Sequence, residues 1–211
     1  MKRGLTALCA ALLAALASAA PPLLQAPSAD GRWRVVADGS TLRVFDADGR
    51  PRRDHAAAPV SAVLDAPARR SFIIVFDQLP QLWELSYDPN AEPVYRGMVH
   101  DYRMGEGIAE PGFLNVRRTP LQEPLREPGF DAKYAMVLAR APDRADGQAV
   151  LVLVQLDVRK PLASFSHRGD PDSAAMRRVA IDGRELLEVP DRAGGPALHI
   201  DPRDLRLLGA H

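Results

Sequence analysis

Residues 71–89 read SFIIVFDQLPQLWELSYDP. Two short apolar runs rich in β-branched and aromatic side chains flank the break Asp77-Gln78-Leu79-Pro80, and Asp88 closes the unit. Runs this short suit strands better than helices, and a central proline would interrupt any helix spanning both. The first run has no polar alternation, the pattern of a strand covered on both faces. Such a hairpin cannot stand alone.

The same unit returns three times, as WRVVADGSTLRVFDADG (33–49), YAMVLARAPDRADGQAVLVLVQLDVRK (134–160) and RRVAIDGRELLEVPDRAGGPALHIDPRDLRLLG (177–209). Turn signals punctuate them at Asp38-Gly39, Asp48-Gly49, Asp146-Gly147, Asp182-Gly183 and Gly194-Gly195, where glycine supplies the positive φ of tight hairpins. With Asp46, Asp88, Asp157 and Asp201 as equivalent markers, the steps are 42, 69 and 44 residues, and the long step matches the others once about 27 residues are set aside. A period near 42 built from short strands is that of a β-propeller, whose blades bury their faces by stacking radially. The expected fold class is all-β and propeller-like, with about four blades forming a partial or small propeller over residues 28–211 and a loop insertion at about 101–129. A β-sandwich is the alternative the same strands allow. SADGRWRVV (28–36) has the Ser-x-Asp-Gly-Arg turn that opens many propeller blades.

Before the repeats, MKRG, the apolar run LTALCAALLAAL and the small residues ASAA have the layout of a secretory signal peptide over residues 1–19. Residues 20–27 then read as a Pro-rich tether. The expected location is the periplasm, with no transmembrane segment after cleavage. Cys9 is the only cysteine and lies in the leader, so disulfides, thiolate catalysis and covalent haem attachment are excluded from the exported part. Lys+Arg and Asp+Glu both number 27, which gives no basic surplus for nucleic acid.

The stretch YRGMVHDYRMGEGIAEPGFLNVRRTPLQEPL (95–125) carries the candidate chemistry. His100 beside Asp101 is an orientable, titratable or metal-ligating imidazole. Arg103, Arg117 and Arg118 are forked donors suited to carboxylates. Gly105 and Gly107 allow close backbone approach to a ligand. On the residues alone, a surface loop and a pocket for an acidic ligand both remain open.

LWELSYDPNAEPVYRGMVHDYR, followed by GEG, PGFLNVRRTPL and VLVQLDVRK, resembles the haem d1-binding propeller of periplasmic cytochrome cd1-type nitrite reductases and related haem d1 biogenesis proteins. The resemblance implies that His100, oriented by Asp101, reaches a tetrapyrrole as a metal ligand, that Arg103, Arg117 and Arg118 meet its carboxylates, and that His167 is a second distal histidine. It implies haem d1 or a related tetrapyrrole as cofactor. The family's propeller has eight blades, twice the number counted here, so four readings remain: four blades closing by themselves, a homodimer of half-rings, a propeller-completing partner protein, and, favoured among them, a relative that keeps the blades and has lost the cofactor. The functional expectation is a non-catalytic binding or interaction protein of haem d1 type, the alternative being a tetrapyrrole-binding enzyme or chaperone of nitrite reductase metabolism that uses His100.

Among the remaining residues, Trp33, Phe72, Phe76, Trp83 and Tyr134 read as blade core, and His55 and His199 as exposed or hydrogen-bonded strand ends. Asp170, Asp172 and Asp201 lack the spacing of a calcium loop, and Glu106 and Glu110 read as loop acids.

Overall fold

The computed structural model describes residues 24–95 and 109–208. Strands β1 (Leu24–Pro27), β2 (Trp33–Asp38), β3 (Thr41–Asp46) and β4 (Pro51–Ala56) form the first antiparallel sheet in chain order. The second sheet takes β5 (Val60–Ala66), β6 (Ser71–Phe76) and β7 (Gln81–Ser86). A two-stranded ladder, β8 (Val94–Tyr95) with β9 (Ala109–Glu110), then intervenes before the sheet's fourth strand, β10 (Val116–Pro120). The third sheet is β11 (Arg126–Asp131), β12 (Met136–Arg140), β13 (Ala149–Gln155) and β14 (Lys160–His167). The fourth is β15 (Arg177–Ile181), β16 (Arg184–Val189), β17 (Leu198–Asp201) and β18 (Arg206–Leu208). Four meandering four-stranded sheets are the propeller-like architecture expected from the repeat.

Each sheet is a blade. The first strands of successive blades lie side by side, β1 against β5 and β5 against β11, so they form the inner edge of the arc. Three apolar clusters fill the spaces between blades. Val35, Leu42 and Val44 of the first blade meet Phe72, Ile74, Phe76, Trp83 and Leu85 of the second. Ile73, Val75 and Leu82 meet Val137, Ala139, Val150 and Val154 of the third, and Leu138, Leu151 and Leu153 meet Leu187, Val189, Leu198 and Ile200 of the fourth. Odd and even residues of β6 therefore enter different clusters, which is why Phe72–Phe76 are apolar without a break and the whole strand is buried. No cluster among the described residues joins the fourth blade to the first.

Two expected boundaries change. Leu24–Pro27, assigned to the tether, is the innermost strand of the first blade, where its backbone pairs with Arg34–Ala37. The insertion expected at about 101–129 is smaller, because Val116–Pro120 completes the second blade and Arg126–Asp131 opens the third. Both strands are polar edge strands whose composition does not mark them as sheet. Residues 1–23, with the expected signal peptide and the start of the tether, lie outside the described residues. No helix among the described residues is long and apolar enough to cross a membrane.

The turn that opens the first blade is built by its own side chains. Ser28 Oγ donates to Asp30 Oδ1 at 2.6 Å and accepts from the Trp33 amide at 3.0 Å, while Gly31 takes φ +68°. At the other end of the chain, Asp182 (φ 49°) and Gly183 (φ 75°) form the tight β15–β16 turn that the Asp-Gly signal predicts.

Candidate functional site: the cleft between the second and third blades

Strand β10 lies antiparallel to β7 with Arg117 opposite Glu84 and Arg118 opposite Trp83. Because side chains alternate along a strand, the two arginines leave opposite faces of the blade. Arg118 turns toward the first blade and stacks 4.8 Å from the centre of the Trp83 ring, a cation–π contact. Arg117 turns toward the third blade, where its Nη2 donates to the Glu92 carbonyl at 2.8 Å.

On that side lies a cleft of about 510 Å3, lined by Arg69, Glu84, Glu92, Val94, Tyr95, Arg117, Asp157 and Arg159. An ion-pair network forms one wall. Arg69, which ends the short 3-10 turn Pro67–Arg69 between β5 and β6, sets Nε 2.7 Å from Glu84 Oε1 and Nη1 2.6 Å from Asp157 Oδ1. Ser71 Oγ also donates to Glu84 Oε1 at 2.9 Å, so the buried carboxylate has several donors. Asp157 belongs to the β13–β14 hairpin, and Arg69 therefore staples the second blade to the third. The hydrogen bond from Arg69 holds the Asp157 carboxyl below the usual carboxylate range.

Arg117 and Arg159 differ from Arg69: neither has a carboxylate partner among the described residues. Two guanidinium forks thus face a cleft within the usual ligand-pocket range of roughly 300–1,000 Å3, and their natural complement is a carboxylate or phosphate.

The ladder β8–β9 stands at the rim of this cleft. Val94 pairs with Glu110 and Tyr95 with Ala109, so residues on either side of 96–108 lie next to one another, and Val94 and Tyr95 also line the cleft. The return segment is tied to the first blade. His55 Nε2 is 2.9 Å from the Leu114 carbonyl, Arg53 donates to Asn115 Oδ1 at 2.9 Å and lies 3.6 Å from Glu110, and the Asn115 amide donates to the Pro111 carbonyl. Gly112 packs where a Cβ would stand 2.0 Å from the Glu92 oxygen, the atom that accepts from Arg117.

His100, Asp101 and Arg103 fall outside the described residues, as does the expected metal ligation by His100. Of the expected site residues that are described, only Arg117 lines the cleft. Arg118 occupies the opposite face of the same blade because of the period-two alternation. His167 ends β14, whereas the cleft lies at the start of that strand beside Arg159; seven residues of extended chain separate the ends by about 23 Å. There, His167 sits 3.8 Å from Asp191, whose carboxylate accepts from the backbone amides of Ala193 at 2.7 Å and Asp170 at 3.1 Å. Those amides, chiefly that of Ala193, hold the Asp191 carboxyl below its ordinary range. Arg69, Glu84 and Arg159 also line the cleft, and no motif marks them in the sequence. Arg159 sits in the VLVQLDVRK run, but nothing in that run marks it as facing a cleft.

Of the residues expected in the core, Phe72, Phe76 and Trp83 are buried, while Trp33 and Tyr134 are half-buried. His55 and His199, expected at strand ends, are buried and hydrogen-bonded. Asp170 pairs with Arg140, Asp172 with Arg192, and Asp201 accepts from the amides of its own turn. No group of three His, Cys, Asp or Glu among the described residues is placed to hold a metal ion.

No protein-family model matches the chain. It is 26% identical to dihydro-haem d1 dehydrogenase of Pseudomonas aeruginosa, over 87% of this chain and 34% of that protein. Among solved structures, dihydro-haem d1 dehydrogenase NirN in complex with DHE aligns with a TM-score of 0.64 at 25% identity, covering 88% of this chain and 36% of that one. The Dos1 propeller aligns with a TM-score of 0.53 at 9% identity, covering 88% and 46%, which speaks to the fold alone. By sequence and by fold, this β-propeller-type chain is homologous to dihydro-haem d1 dehydrogenase over about a third of that protein's length.

Proposed function

We propose that the protein is a periplasmic tetrapyrrole-binding propeller protein of haem d1 type that holds its ligand without transforming it. The observation that carries this reading is the pair Arg117 and Arg159, two guanidiniums with no carboxylate partner among the described residues, lining one cleft at the foot of the segment that contains His100. The donors suit a tetrapyrrole's carboxylates, and homology to a protein solved with DHE supports the ligand class. Arg69 keeps its charge on Glu84 and Asp157 and is a positioning residue for the cleft wall. His100 is assigned to the ligand's metal on the strength of the resemblance, with Asp101 orienting its ring and Arg103 adding a further carboxylate contact.

Titration of the purified protein with haem tests this. A saturable shift of the Soret band is expected, weakened about tenfold by His100→Ala and about tenfold by Arg117→Ala or Arg159→Ala, a loss in line with about 1.5 kcal/mol for one charge-assisted hydrogen bond. Arg118→Ala leaves the shift unchanged because its side chain serves the other face. An unaltered haem spectrum on addition of protein overturns the proposal.

The homology to a dehydrogenase favours one second reading, an enzyme acting on the same ligand class. It differs in a single readout: with dihydro-haem d1 and an electron acceptor the spectrum then evolves over repeated turnovers, whereas a holding protein gives one stable end point.

A further inference from the structure

The cleft that holds Arg117 and Arg159 is a slot with an apolar mouth. Its floor is Leu156, 2% exposed and part of the apolar cluster that joins the second blade to the third. One wall carries Glu84 on β7, Arg117 on β10 and Val94 on the β8–β9 ladder; the other is the β13–β14 turn of the third blade, with Asp157 and Arg159. Arg69 bridges the two walls through Glu84 at 2.7 Å and Asp157 at 2.6 Å. Packed sheets lie about 10 Å apart with their side chains between them, so the open space is narrow in that direction. A flat conjugated ring, about 3.5 Å thick at van der Waals contact, enters such a space edge-on with its plane parallel to the blades; lying across, it meets both walls.

The mouth supplies a second observation. Among the described residues the exposed large apolar side chains are Tyr95 at 66%, Val158 at 55% and Leu162 at 38%. Tyr95 lines the cleft at the β8–β9 ladder, and Val158 stands in the opposite turn between Asp157 and Arg159, both of which line it. Leu162 belongs to a separate groove of about 240 Å3 beside Leu121 and Leu125. Apolar side chains scattered singly over a surface are ordinary. A pair gathered at the mouth of a slot with two cationic forks inside is the complement of an amphipathic ligand, charged along one edge and apolar behind it. The acids of the slot do not cancel those forks. Glu84 and Asp157 are held by Arg69, and Glu92 is exposed, its backbone carbonyl rather than its carboxylate accepting from Arg117.

We infer that the ligand is held edge-in: two carboxylates on one edge of the macrocycle meet Arg117 on one wall and Arg159 on the other, and the apolar body leaves the slot between Tyr95 and Val158. Tyr95 and Val158 are then specificity-determining residues. They favour a flat apolar body, and a small hydrophilic dicarboxylate gains nothing from them. With the carboxylates inside, the centre of the ring stands near the β8–β9 ladder, where the segment containing His100 begins. The inference rests on the tetrapyrrole reading for its ligand class and adds the orientation and the two apolar contacts.

Paired titrations with haem and with haem dimethyl ester, whose carboxylates are capped, test it on the purified protein. For haem, Tyr95→Ser should weaken binding about tenfold and Val158→Ser about threefold, following the apolar area each contact removes from water, and Tyr95→Phe should recover the loss. Leu162→Ser, the same kind of change at the exposed apolar residue outside the cleft, should leave the titration as it is. The ester should bind more weakly than haem, keep its response to Tyr95→Ser and lose its response to Arg117→Ala and Arg159→Ala. Circular dichroism of each variant shows that the blades are intact. Haem binding indifferent to Tyr95→Ser and Val158→Ser, or weakened as much by Leu162→Ser, or an ester as sensitive to the arginine variants as haem, overturns the edge-in orientation and leaves the tetrapyrrole reading standing. No Soret shift with haem overturns both.

Discussion

Glu84 is 6% exposed at the wall of the interblade cleft and takes hydrogen bonds from Arg69 and Ser71. Removing the guanidinium strands a buried carboxylate, so Arg69→Ala should lower stability by about 2–3 kcal/mol, readable as a fall in the urea midpoint. The partner on the third blade predicts a pH effect. Asp157 has a folded-state pKa below its unfolded value, so its contribution is complete above the unfolded carboxylate range, near pH 4, and is lost as pH falls through the depressed folded value. Acid unfolding followed between pH 5 and 2 should show Asp157→Asn with a shallower loss of stability than wild type. Position in sequence was a poor guide to these side chains. Arg117 and Arg118 read as one basic element until β10 is seen to be a strand, after which alternation assigns one to the cleft and the other to Trp83.

At the level of strands and turns, the path from β7 to β10 is what aims Arg117. It is fixed to the first blade through His55 and Arg53 and to itself at Gly112, which has no room for a methyl group beside the Glu92 carbonyl. Gly112→Ala should force that carbonyl aside, cost about 1–3 kcal/mol and weaken haem binding together with stability; calorimetry and the Soret titration read the two effects separately. The elements legible in the sequence were the central strands. SFIIVF and AVLVLVQ are pressed between two clusters and so must be apolar on both faces, a demand that composition displays openly. Edge strands answer to one neighbour and to water. VRRTP and the start of REPGFD therefore fall within the expected loop, and LQAP within the expected tether.

For the molecule as a whole, the count of four blades follows from the spacing of Asp46, Asp88, Asp157 and Asp201, but the closure of the ring does not, since it depends on which faces meet. Stability should be distributed by interblade space. Leu138 is wholly buried in the third cluster, and Leu138→Ala should cost about 3 kcal/mol. Arg34→Ala, at an exposed position outside the three clusters, should change stability by no more than about 0.5 kcal/mol.

The short ladder β8–β9 has one further consequence. Tyr95 and Ala109 face each other as strand partners, with Cα atoms about 5 Å apart, a gap that a two-residue Asn-Gly turn spans. Residues 96–108 can accordingly be excised and replaced by that turn while every blade hydrogen bond described above remains in place. On the proposed function the binding groups then divide in two: His100, Asp101 and Arg103 fall within the thirteen residues that can be exchanged between Tyr95 and Ala109, while Arg117 and Arg159 belong to the blades. Exchanging those thirteen residues for segments of other sequence, with the blades unchanged, would separate what the loop adds to ligand choice from what the cleft arginines add.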